Sequence, residues 1–171
     1  MSVIVKPIPA TKDALKKFVQ FGIDHYKGNE YFVPPLLMDD VNTLRPESNP
    51  AFDFCEAQCF MAFRNGKPVG RIAGIINKVV NERTGKNVVR FGFVEFIDDA
   101  EVVDALFDAV EKWGKERGMD TITGPLGFTD MDYEGMLVDG FDQLCTMATI
   151  YNYPYYTVHM ERRGMVKEAD W

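Results

Sequence analysis

The chain has 171 residues, 46% hydrophobic and 26% charged, which suits one core-forming domain, expected over residues 1–171. A formal net charge of −7, a pI near 4.9 and no basic run longer than Arg162-Arg163 argue against a nucleic-acid partner. No apolar stretch nears the roughly 20 residues of a membrane span, and Cys55, Cys59, Cys145, His25 and His159 make no metal-ligand spacing, so a cytoplasmic protein with reduced thiols, no membrane partner and no metal is expected.

Residues 2–7 carry a short strand pattern. Thr11 then offers an N-cap, Asp13 suits a first turn, and Leu15, Phe18, Val19 and Tyr26 recur at helical spacing, which predicts a helix over 12–26. Pro34-Pro35 forces irregular chain, and a short helix over 38–44 is expected to end at Pro46. Residues 57–64 and 67–77 are β-rich and flank Asn65-Gly66, whose two positions both tolerate positive φ, so they form a hairpin. Pro68 cannot donate to a ladder and belongs at a strand start or an edge. A turn near 83–87 leads into a strand over 88–97. The helix predicted over 100–117 buries Val102, Val103, Leu106, Val110 and Trp113, and Gly118 stops it. A strand over 121–124 follows, then irregular chain from Pro125 to Tyr151. Pro154 opens a helix to Arg163, Arg162 and Arg163 complement its dipole, and Gly164 closes it. Residues 165–171 read as the start of a final strand.

Residues 88–125 therefore form a strand–helix–strand unit, and ligands of such units sit where the first strand hands over to the helix. Here the handover is Asp98-Asp99-Ala100-Glu101, three carboxylates and no glycine. It reads as an acidic helix cap whose side chains occupy the free N–H groups and repel a phosphate.

Two segments, ALFDAVEKWGKERGMDTITG (105–124) and YYTVHMERRGMVKEADW (155–171), resemble the cofactor helix and the later helix–Gly–strand piece of the GNAT N-acetyltransferase superfamily. YFVPPLL, NGKPVGRIAGIIN, VRFGFVEF and GMLVDGFD resemble a GNAT-like group of longer proteins, of which this chain looks like the N-terminal half. The resemblance implies a mixed α+β fold, a twisted and largely antiparallel sheet flanked by helices, lacking its last strand. It also implies acyl-CoA-dependent acetyl transfer to an unidentified small amine, with acetyl-CoA or CoA as cofactor and a second domain or a homo-oligomer as partner. The alternative is a non-catalytic half that packs against, or senses ligand for, a second domain.

On the residues that match, the family's pyrophosphate turn falls on 98–103, where every glycine is missing and the basic position is Asp98. The pantetheine arm is expected along the backbone of Phe93, Val94, Phe96 and Ile97. Glu95 is the candidate base: in an undistorted strand it shares a face with Val89, Phe91, Phe93 and Ile97, an apolar setting that raises a carboxyl pKa; the alternative is an exposed or salt-bridged Glu on a strand whose face a bulge has changed. The family's tyrosine acid would stand four residues before Gly164, which is Met160, so Tyr156 one turn earlier and its neighbour Tyr155 are the candidate substitutes. The run Tyr151, Tyr153, Tyr155 and Tyr156 either lines an apolar pocket or packs a helix on the sheet. The loop Asp130–Gly135 opens like a calcium loop, but its twelfth position is Phe141, which leaves a cation-attracting or solvated acidic loop with Asp139 and Asp142.

Overall fold

The structure is a computed structural model that describes residues 2–146 and 149–170. One five-stranded sheet has the order β1 (Ile4–Ile8), β2 (Cys55–Arg64), β3 (Lys67–Asn77), β4 (Val88–Phe96) and β5 (Thr121–Thr123). The first four pair with one another antiparallel, and β5 runs parallel to β4. The β2–β3 hairpin turns at Asn65-Gly66 with both φ angles positive, as the dipeptide requires. Pro68 sits one residue inside β3, opposite Phe63.

Helices cover both faces. On one, α1 (Lys12–His25) and α2 (Leu37–Thr43) bury Leu15, Phe18, Val19 and Val41 against Cys59, Met61, Ala73 and Ile75. On the other, α4 (Ala100–Lys115) and α5 (Tyr155–Arg162) pack Val102, Leu106, Val110, Tyr156 and Met160 onto Ile72, Val89, Phe91 and Phe96. All five residues expected to face inward from the second long helix do so. Cys55 and Cys59 are buried free thiols, which burial pushes up to about 11 and about 12. They stay protonated and unreactive at neutral pH.

Two elements differ from the sequence reading. A short helix, α3 (Lys78–Thr84), precedes the turn expected near 83–87. It is capped by the Asn77 side chain and stopped by Gly85, and it buries no residue, so no apolar stripe announced it. The final strand does not form among the described residues: Met165–Asp170 carries no ladder, and Trp171 lies outside them. Thr123 Oγ1 meets this segment through a hydrogen bond to Glu168 (3.2 Å). A strand needs a row of paired backbone groups, and β-propensity over six residues does not supply a partner.

Candidate active site

The site grows from a defect in β4. Phe93 has φ of +48°, and the register slips by one residue between the pairs Ala73–Gly92 and Arg71–Glu95. This is a β-bulge, and it reverses the alternation of side chains beyond it. Val89 and Phe91, then Val94 and Phe96, face α4 and α5, while Phe93 packs with the α1–α2 cluster. The expected apolar face around Glu95 is thus corrected: Glu95 lies opposite Val89 and Phe91, beside Arg71, its cross-strand partner.

Glu95 keeps 15% of its side chain exposed and Arg71 only 6%, with Oε1 to Nη2 at 3.8 Å. Arg71 Nη1 also donates to two carbonyls of α1, Phe18 O (3.2 Å) and Val19 O (3.4 Å). The guanidinium fits because position 22 has no side chain: a Cβ there would stand 2.3 Å from Arg71 Nη2.

The other carboxylate oxygen of Glu95 is held by two phenols. Tyr26 and Tyr156, each 1% exposed, place their hydroxyls 2.6 Å from Oε2 and 3.1 Å from each other. Burial raises the Glu95 pKa, while Arg71 and the two phenols pull it back. The raised direction was expected, but its cause is enclosure by helix and phenols more than an apolar strand face. Burial, with the Glu95 charge next, also raises Tyr26 and Tyr156, so both remain phenols at neutral pH.

The edge of β4 beyond the bulge is open because β5 pairs only with Val88–Arg90. At Gly92 the departing chain comes so close that a Cβ would meet Leu126 O at 2.5 Å, and Leu126 N–H donates to Phe91 O (2.8 Å). Past this point the strands diverge, and two tyrosines of α5 reach the backbone of Phe96. Phe96 N–H donates to the Tyr156 hydroxyl (3.2 Å), and Tyr155 donates to Phe96 O (2.8 Å). The Tyr155 hydroxyl also lies 3.2 Å from His25 Nε2. Burial, then the Arg71 charge, holds His25 down at about 4, so this imidazole is neutral.

All three residues read from sequence as catalytic, Glu95, Tyr155 and Tyr156, meet at this edge. Tyr26, Arg71, Gly22 and His25 were missed as members. Arg71 does carry a signal, as the lone charge inside the apolar run VGRIAGII, and Tyr26 reads as core because it completes the helical stripe of α1. Of the aromatic run, Tyr151 and Tyr153 ring the same cluster, with Tyr26–Tyr153 centroids at 5.0 Å and Tyr26–Tyr151 at 5.7 Å. Met160 is buried in the α4–α5 cluster and takes no part. The Asp130–Gly135 loop spends Asp132 on Thr129 N–H (2.9 Å).

Acetyl-CoA or CoA, the group the resemblance implies, has two ends to seat, a pantetheine arm and a pyrophosphate. Ile97 N–H pairs inward with Val69 O (3.1 Å), so alternation turns Phe96 and Val94 outward. With Phe96 engaged by the tyrosines, Val94 is the residue whose backbone is placed for an extended arm, and Phe93 occupies the bulge. The phosphate end does not fit. Asp99 accepts Val102 N–H (3.2 Å), Val103 N–H is bound to Asp99 O, and Asp98 and Glu101 add negative charge.

No family model matches the chain. It is 34% identical over 159 residues to Protein YghO of Escherichia coli, covering 93% of this chain and 40% of that protein. It is 32% identical over 171 residues to a bacterial ceramide synthase of Caulobacter vibrioides, covering 99% and 44%. The chain therefore spans less than half the length of these curated relatives. Among solved structures, a tandem GNAT protein from the clavulanic acid biosynthesis pathway aligns with a TM-score of 0.62 at 14% identity, over 95% of this chain and 43% of that one. A protein described as a predicted acetyltransferase, solved with acetyl-CoA, from Clostridium acetobutylicum gives 0.57 at 11% identity, over 99% and 93%. With the bulged fourth strand, its divergence from the fifth and the helices on both faces, these likenesses identify the chain as carrying the GNAT acyltransferase fold.

Proposed function

We propose that the protein containing this chain transfers an acyl group from a thioester to the nitrogen of an amine, with Glu95 as the proton acceptor. The observation that carries this reading is the buried Glu95 carboxylate at the point where β4 and β5 part, oriented by Tyr26 and Tyr156. A base with a raised pKa next to an open backbone edge suits deprotonation of an ammonium group, and such proton transfer typically contributes about 10²–10⁴ in rate. Glu95 takes one proton from the ammonium, the neutral amine attacks so that the nitrogen–carbon bond forms and the carbon–sulfur bond breaks, and nitrogen's second proton replaces the one a tyrosine gives to the departing sulfur. Tyr155 is the better donor of the two candidates, because its hydroxyl lies at the edge on Phe96 O while that of Tyr156 points at Glu95. The ceramide synthase relative supports amide formation by its name, since a ceramide is an N-acyl amine.

A second reading, a non-catalytic half, draws on Met160 at the tyrosine position and on the closed phosphate turn. Thiol release from acyl thioesters with a panel of amines, measured on the longer protein, separates the two. Glu95→Gln is expected to lower turnover about 100-fold with the fold retained. Unchanged turnover in that variant would make Glu95 scaffold and favour the second reading.

A further inference from the structure

The first turn of α4 is tied into the rest of the molecule from three sides. Arg64, the last residue of β2, donates to both oxygens of Asp99 (2.6 and 3.1 Å) and to Glu101 (2.9 Å). Glu101 accepts Val3 N–H (2.9 Å), which brings in the start of the chain. Asp98 lies 2.8 Å from Nε2 of the buried His159 on α5. One turn on, Asp104 joins Arg162 and Arg163. A helix start that binds phosphate leaves its N–H groups and positive end free. Here Asp99 caps Val102 N–H from within, Arg64 is spent on the same carboxylates, and Arg162, which reaches Ala100 O (3.4 Å), is held by Asp104. The Arg64 bonds in turn hold the Asp99 carboxyl below its usual range, so it stays ionised.

We infer that this turn is an ionic joint of the fold closed to phosphate, so that a thioester donor at this half is selected by its arm and not by its nucleotide. The donor class is an acyl thioester on a pantetheine-like arm that lies along Val94, with the adenosine phosphates making no contact with α4. This rests on the acyl-transfer reading for the word donor; closure of the turn stands apart from it.

The test is NMR of the ¹⁵N-labelled chain titrated with inorganic pyrophosphate, CoA and pantetheine. Pyrophosphate is expected to leave the Val102 and Val103 amides and Arg64 Nε–H unmoved, while CoA and pantetheine shift Val94 with dissociation constants within about threefold of each other. CoA binding about tenfold or more tighter than pantetheine, with Val102 shifting, overturns the inference. So does the failure of both compounds to shift Val94. Asp99→Gly with Glu101→Ala frees Val102 N–H and Arg64, and is expected to gain a saturable, salt-sensitive pyrophosphate shift. Should that pair unfold the chain, Glu101→Ala alone retains the cap and is expected to gain a weaker shift carried by Arg64. A folded, opened variant that stays blind to pyrophosphate refutes the joint as the cause. These readouts involve no turnover, so they fail independently of Glu95→Gln in the thiol-release assay.

Discussion

Gly22→Ala sets helix propensity against a tertiary contact, and the two predict opposite signs. Position 22 lies inside α1, where replacing Gly by Ala normally gains about 1 kcal/mol. The new methyl would stand 2.3 Å from Arg71 Nη2 and 2.4 Å from Cζ. An arginine tip normally swings aside at little cost. This one is 6% exposed, stacks over Phe18 at 5.1 Å and donates to Phe18 O and Val19 O. Displacing it forfeits two charge-assisted hydrogen bonds worth about 1.5–3 kcal/mol each. Against the propensity gain, the net expectation is a loss of about 2–5 kcal/mol. Urea denaturation with unchanged slope measures this, and carbon-detected NMR of Glu95 gives a second signal, a further rise in its pKa as the Arg71 charge retreats. A variant stabilised by about 1 kcal/mol with Glu95 titrating as before would show that Arg71 is not confined by Gly22.

Two further perturbations probe the same cluster. His25 is held down from 6.5 to about 4 by burial and by Arg71, so the unfolded chain takes up its proton first as pH falls. Its contribution is nil above pH 6.5, and stability is lost between pH 6.5 and about 4 by roughly 3 kcal/mol, which His25→Gln should remove from the denaturation profile. A profile in that window identical in the variant contradicts the assignment. Tyr26→Phe deletes one of the two phenol bonds to Glu95 and is expected to cost about 1 kcal/mol and to raise the Glu95 pKa further, by the same NMR titration. An unmoved Glu95 would mean Tyr156 alone holds the carboxylate.

Glu95, Tyr155 and Tyr156 were named in sequence through the GNAT resemblance, and the structure brings them to one edge of β4. The face of Glu95 follows the alternative, a salt-bridged Glu on a bulged strand, and not the undistorted strand. One bulged residue, Phe93, inverts the alternation of β4, and nothing in VVRFGFVEF announces it. Arg71 and Tyr26 escaped for a related reason: they are 24 and 69 residues from Glu95 along the chain, and only sheet register and the placement of α1 bring them to it.

What the sequence by itself determined are the local elements: the hairpin at Asn65-Gly66, the stripes of α1 and α4, and the acidic cap at Asp99, since each depends on neighbours a few residues apart. Arg64 as the cap's lock, the unpaired course of Met165–Asp170 and the closed carboxylate–phenol–guanidinium cluster were decided by the tertiary structure alone. Each depends on which distant backbone lies alongside, and a one-residue slip in that register exchanges the partners of every side chain beyond it.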